Sequence, residues 1–391
     1  MAQTVATEKI VAAIEKTVER QSAFLAHAPE HPFALGTATG RFIYDGLGTK
    51  FVDFSCGEGT MVLGHQFPGV HGAMQEFLRY HHVTTLVPGG HLYPPVIAYA
   101  SALASSFNQP DLKVTFALDE RTALAEAIYQ ARAYTYRNRT LLVAGDNLWY
   151  ATEFPERVDT IVEGNMLYGE AWDSYAALVI SLVDWEGRPY DRTWIGDIVA
   201  QASARNTQVI INESRTGFGR TYDHLWGQQF FRVQADYTIV GGPAGGGFPL
   251  GAVVARGDLM LSESRVPPLS GDLVACRVGL ATLSEIDPSL ISEASKTALV
   301  FSDGLDSLAD QFPDFVERAW GVGMQQSLVM KTPELARKLV TEGLAGGIFL
   351  ADPRGRSVYM TPALTTTIEE LNLGLDIMGA ILLQWSESAI V

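Results

Sequence analysis

Apolar residues Val5, Ile10, Ala13, Ile14 and Val18 recur at helical spacing, which predicts a helix over 5–27. Residues 33–54 read instead as short strands, broken by turn dipeptides at Thr39–Gly40 and Asp45–Gly46. From about residue 70 the two periods alternate. Helices are predicted near 70–80, 94–107, 121–137, 193–205 and 271–285, and apolar strands near 113–117, 140–144, 177–183, 208–212, 237–240 and 250–255. Short buried strands between helices predict a mainly parallel sheet covered on both faces. Past residue 287 a long helical pattern leads to strand-like Ser357–Met360 and a final helix near 368–384. The expected fold class is α/β, in three parts. Residues 1–55 give a helix and short strands that pack with the small lobe, 56–286 a large doubly wound domain, and 287–391 a small α+β C-terminal domain.

Composition narrows the setting. A chain of 391 residues, 47% hydrophobic and 18% charged, can bury a large core. Its 28 basic and 44 acidic side chains leave a net charge of −16, which repels nucleic acid backbones and anionic membrane surfaces alike. No apolar run approaches the roughly 20 residues that span a bilayer, and the N-terminus lacks the basic-then-apolar order of a secretory signal. A cytoplasmic protein is expected. Two cysteines, Cys56 and Cys276, are too few for a disulfide framework or a zinc site and read as buried thiols. The histidines show no metal-binding spacing, and His81 and His82, adjacent in the chain, would diverge by about 100° on a helix. No metal is expected. Neither a Gly-x-Ser-x-Gly elbow nor a Walker loop is present.

Six segments carry a resemblance. They are Arg41–Phe54 (RFIYDGLGTKFVDF), Leu63–Pro68 (LGHQFP), Ala131–Thr135 (ARAYT), Asn212–Thr221 (NESRTGFGRT), Thr238–Val253 (TIVGGPAGGGFPLGAV) and Ala275–Leu283 (ACRVGLATL). In this order and spacing they resemble the class III aminotransferases, near glutamate-1-semialdehyde aminomutases and diaminobutyrate aminotransferases. The resemblance implies the fold-type-I pyridoxal phosphate (PLP) transferase fold and a homodimer with its site at the subunit boundary.

The positions that hold PLP in that family differ here. The lysine that forms the cofactor's Schiff base aligns with Gly242, which has no amine. The phosphate cup, Ser-Gly-Thr in the family, reads Asp119-Glu120-Arg121, and carboxylates repel a phosphate. The acid at the ring nitrogen has become Asn212, and the stacking segment reads Leu148-Trp149-Tyr150. A threonine given by the partner subunit aligns with Pro267 or Pro268. From these residues no cofactor is expected, with PLP binding lost and pyridoxamine phosphate left as a lesser alternative.

The replacements carry their own chemistry. Glu58, Asp119, Glu120, Arg121, Glu213 and Arg215 are candidate catalytic residues for acid–base work. Trp149, Tyr150, Asn212 and Gly242 are candidate substrate contacts. Each has a plainer reading beside it: Glu58 as a solvated turn residue, Asp119 as a helix N-cap, Glu213 and Arg215 as structural partners, and the two aromatics as packing. Three functions remain open. One is a PLP-independent enzyme that cyclises, isomerises, dehydrates or condenses a small organic, natural-product-like substrate. Another is a non-catalytic pseudoenzyme that partners a pathway protein. The third is a lysine-free enzyme that uses pyridoxamine phosphate.

Overall fold

The computed structural model describes residues 35–80, 93–145, 157–261, 264–267 and 269–389. The helix expected over 5–27 lies outside them, as do Trp149 and Tyr150. Fourteen strands are found among the described residues. The first three are β1 (Leu35–Thr39), β2 (Phe42–Asp45) and β3 (Lys50–Asp53). Next come β4 (Leu112–Ala117), β5 (Arg139–Val143), β6 (Val158–Ile161), β7 (Tyr175–Ser181), β8 (Gln208–Asn212), β9 (Tyr237–Val240) and β10 (Gly251–Arg256). The last four are β11 (Val316–Val322), β12 (Gln325–Met330), β13 (Ile348–Phe349) and β14 (Ser357–Met360). The helices that matter below are α1 (Pro68–Tyr80), α2 (Pro94–Ser105), α3 (Glu120–Thr135), α4 (Arg192–Ala204) and α5 (Gly227–Phe231), then α6 (Leu273–Glu285), α7 (Pro288–Gln311), α8 (Pro333–Gly346) and α9 (Ile368–Ala389).

Seven strands form the main sheet in the order β4-β10-β9-β8-β7-β5-β6. Only β10 runs against its neighbours; the pairs among β9, β8, β7, β5 and β6 are all parallel. The strands alternate their buried faces as period-two backbone requires. Val179 and Ile210 face a core with Leu124, Ala127 and Ile128 of α3. Leu178, Ile180, Val209 and Ile211 face another with Trp194, Ile195 and Ile198 of α4. Helices therefore cover both faces, and the sheet is the doubly wound, mainly parallel one expected.

A separate core joins the chain's two ends. Val52 and Phe54 pack with Phe301 and Leu305 of α7, Leu328 and Met330 of β12, and Leu371 and Leu382 of α9. There β13 pairs parallel with β3, and β12 lies between β11 and β14. The hairpin β11–β12 and helix α8 were not foreseen from the sequence. The reason is visible in β12: Gln325, Gln326 and Ser327 are buried, which breaks the apolar signature of a core strand. Most of their polar atoms find partners in the fold: Tyr359 Oη donates to Gln325 Oε1 at 3.0 Å, Gln326 Nε2 to Gly323 O at 2.9 Å, and Ser327 Oγ to Glu186 O at 2.5 Å.

This topology positions the site. The carboxyl ends of β7, β8 and β9 stand side by side at Ser181, Asn212 and Val240, with α3 starting just beyond β4. Such a crevice outside the strand ends is where open α/β sheets bind ligands.

Candidate functional site

Helix α3 begins with a closed cap. Asp119 is extended, its Oδ1 accepts from Thr122 N at 2.8 Å, and its own N–H donates to Thr122 Oγ1 at 3.0 Å. The carboxylate proposed for chemistry thus holds the first turn of the helix. Arg121 lies exposed on that turn. Glu120 points the other way, across the strand ends, where its Oε1 accepts from Asn212 Nδ2 at 2.6 Å. Asn212 also reaches Ser181 Oγ at 3.3 Å and accepts from Ser214 N at 3.1 Å. Among the described candidate residues, Glu120 and Asn212 are brought into direct hydrogen-bond contact from distant parts of the chain.

Gly241 and Gly242 form the wall next to this pair. A Cβ on Gly241 would come within 2.7 Å of Glu120 Cβ and 2.9 Å of Ser214 Oγ, so only glycine fits. A Cβ on Gly242 would meet no atom closer than Ser214 O at 3.3 Å and Thr60 Cγ2 at 3.7 Å. Gly242 opens the turn Gly242–Gly245 at φ +52. Ser214 is buried, and its hydroxyl has no hydrogen-bond partner among the described residues.

A second cluster sits beside the first. Gly57, Glu58 and Gly59 all have positive φ, and buried Arg220 pins this loop by donating to Gly59 O at 2.7 Å. Glu58 Oε2 pairs with Arg354 Nη2 at 2.7 Å; the Glu58 side chain is 60% exposed and that of Arg354 8%. The Arg354 guanidinium lies between the rings of Trp185 and Tyr359, at 4.2 and 4.0 Å, and donates to Trp185 O. Arg215 stands on Trp185 as well, at 5.3 Å, and donates to Asp184 O at 3.0 Å. Arg215 and, through Arg354, Glu58 are thereby both tied to the ring of Trp185.

Glu213 belongs to neither cluster. It is fully buried, and its carboxylate accepts from Gly227 N, Gln228 N and Thr216 Oγ1 at 2.9, 2.7 and 2.5 Å. Burial pushes its pKa up, against the pull of those three donors. It braces the start of α5, so the structure places it as a support and not at the crevice. His65, read as structural, bonds Asp53 Oδ2 through Nε2 at 2.7 Å. Sequence reasoning passed over Ser214, Thr60, Ser181, Arg354, Trp185 and Tyr359. Small hydroxyls and a distant arginine carry no pattern of their own; only the fold assembles them.

Comparison with known proteins names the scaffold. The aminotransferase class-III family model matches residues 159–382. The acetylornithine aminotransferase of Agrobacterium fabrum is 28% identical over 382 residues, covering 88% of this chain and 92% of its own length. That of Gloeobacter violaceus is 25% identical over 372 residues, covering 88% and 91%. Among solved structures, acetylornithine aminotransferase from Elizabethkingia anophelis superposes with a TM-score of 0.84 at 21% identity, covering 95% of this chain and 99% of that one. An ornithine aminotransferase from Toxoplasma gondii, with PLP partially occupying its active site, gives 0.86 at 18%, covering 96% and 95%.

These matches point to PLP as the cofactor and overturn the expectation of none. That expectation weighed a few positions at the crevice, whereas the matches extend over nearly the whole scaffold. The residues present do not reproduce the family's covalent seat, however. Gly242 offers no amine, the α3 N-terminus is closed by Asp119, and Glu120 occupies the amide of Asn212. With its family model matched over more than half its length, the chain belongs to the class III aminotransferases.

Proposed function

We propose that this chain is an enzyme of amine chemistry on the class III aminotransferase scaffold, acting on a small organic amine in the crevice above β7, β8 and β9. One observation carries the reading: a half-buried carboxylate, Glu120, is held over the strand ends by Asn212 at 2.6 Å. The amide donates to one oxygen and orients the carboxyl group, which is then placed to take or give a proton. Ser181 and Ser214 steady the amide in turn. Acidic groups at this edge and a net charge of −16 attract a cationic substrate. The curated relatives are acetylornithine aminotransferases, which supports amine chemistry in this fold. A cytoplasmic homodimer with three-part organisation, divided at 55/56 and 286/287, belongs to the same proposal.

The test is a screen of amino acids and diamines with purified protein and PLP, followed by NMR. Turnover found there should fall about 100-fold or more in Glu120→Gln, the usual range for a lost general acid–base group. Full activity in that variant removes Glu120 from the mechanism and sinks the reading.

A further inference from the structure

Strand β3 ends at Asp53, and the chain after it turns around that carboxylate. Asp53 Oδ1 accepts from Ser55 N and Cys56 N, each at 2.8 Å, which leaves Oδ2 to His65 Nε2 at 2.7 Å. His65 is held in place by its own backbone, which exchanges two hydrogen bonds of 2.7 Å with Gly40. A carboxylate oxygen of Asp53, the sulfur of Cys56 and a ring nitrogen of His65 therefore lie within 4.8 Å of one another. Asp53 and Cys56 are buried, and His65 is half-buried. No spaced motif announces this set, because two members sit in one turn and the fold brings back the third. A cavity of about 550 Å³ is the second, independent observation. Asp53 and His65 line it, with Ser55 and exposed Asp352 beside them and Leu344 of α8 and Phe349 of β13 opposite. Two of the three donors are thus open to a space large enough for an ion and its water.

We propose that Asp53 Oδ2, Cys56 Sγ and His65 Nε2 bind one zinc ion, with the fourth coordination position facing this cavity. One oxygen, one sulfur and one nitrogen are donors that zinc accepts, and three protein donors with an open fourth place form a site that holds water or a ligand. Around a tetrahedral ion the Asp53 oxygen and His65 nitrogen stand roughly 3.3 Å apart, so side-chain rotation parts the pair by about half an ångström. The Cys56 thiol releases its proton to solvent and coordinates as thiolate, while the imidazole carries its proton on Nδ1. The two N–H groups on Asp53 Oδ1 orient the carboxylate before the ion arrives. Asp352 at the same cavity favours entry of a cation. The site shares no residue with the Glu120–Asn212 crevice, so this inference stands apart from the proposed function.

Equilibrium dialysis of the untagged full-length protein against Zn²⁺ tests this, with Co²⁺ as the spectroscopic stand-in. Zinc should bind saturably at one ion per chain, and Co²⁺ should give a sulfur-to-cobalt charge-transfer band in the near ultraviolet. Cys56→Ser should remove that band and weaken zinc at least 10-fold. Asp53→Asn keeps an oxygen for the Ser55 and Cys56 N–H groups but loses the charge, and it should also weaken zinc at least 10-fold. Cys276→Ser should change neither reading. Circular dichroism melts establish that each variant is folded; if Cys56→Ser does not fold, the cobalt band and Asp53→Asn decide. No zinc binding, cobalt bound without the band, or affinity unmoved by Asp53→Asn overturns the site. Asp53 and His65 would then be a structural pair, and Cys56 a packing residue beside them.

Discussion

Glu213 shows how much a single side chain's surroundings decide. Its carboxylate is buried at the start of α5 and accepts from two backbone N–H groups and a threonine hydroxyl. Burial nevertheless dominates and raises its pKa above the ordinary value of 4.5. A carboxyl whose folded pKa is raised binds a proton in the native state that the unfolded state has already released. Its contribution to stability is therefore full below 4.5 and is lost as pH climbs through the folded pKa. Glu213→Gln should flatten this part of the stability-versus-pH curve measured by urea unfolding. The variant should also lose about 1–3 kcal/mol, because an amide nitrogen cannot accept from Gly227 or Gln228. A slope unchanged above pH 4.5 would show that another group sets it.

At the scale of elements, the start of α3 carries both the most legible and the least legible features of the site. Asp119 followed by Thr122 is a cap that local sequence specifies, and the structure closes it as a reciprocal pair. Asp119→Ala should destabilise the protein by about 1 kcal/mol in chemical denaturation, while Asp119→Asn, which also caps, should lose far less. Equal losses in the two would mean that the charge and not the cap is what counts. Glu120, one residue on, gives no such signal: only the sheet order brings it to Asn212, 92 positions away. The same division holds for the elements themselves. Apolar strands β7, β8 and β9 and helices α3 and α4 were legible because apolar residues dominate their buried faces. Strand β12 was not, since Gln325, Gln326 and Ser327 are buried, and the partners of Gln325 and Ser327 come from β14 and the loop after β7. Arg354 and Trp185 meet across 169 positions for the same non-local reason.

The whole molecule joins an inherited scaffold to a changed crevice. Relatives of 25–28% identity cover nearly nine-tenths of the chain, so the layers and strand order are those of the family and PLP is the cofactor they indicate. The seven lysines, at 9, 16, 50, 113, 296, 331 and 338, all fall outside the segment from Thr238 to Val253 that carries the family's anchor. What binding there is must then be reversible at that segment, because glycine can form no bond to an aldehyde. Titration with PLP, followed by absorbance, should give a saturable change that dialysis fully reverses. Borohydride treatment of the complex should leave the peptide covering 238–253 unlabelled, and mass spectrometry reads this directly. In Gly242→Lys the same treatment should mark that peptide, at a loss of about 1–2 kcal/mol in stability for a side chain at φ +52. A stoichiometric label on one native lysine would reverse the argument: the fold would then have moved its anchor, and the crevice at Glu120 would no longer be where the cofactor and the substrate meet.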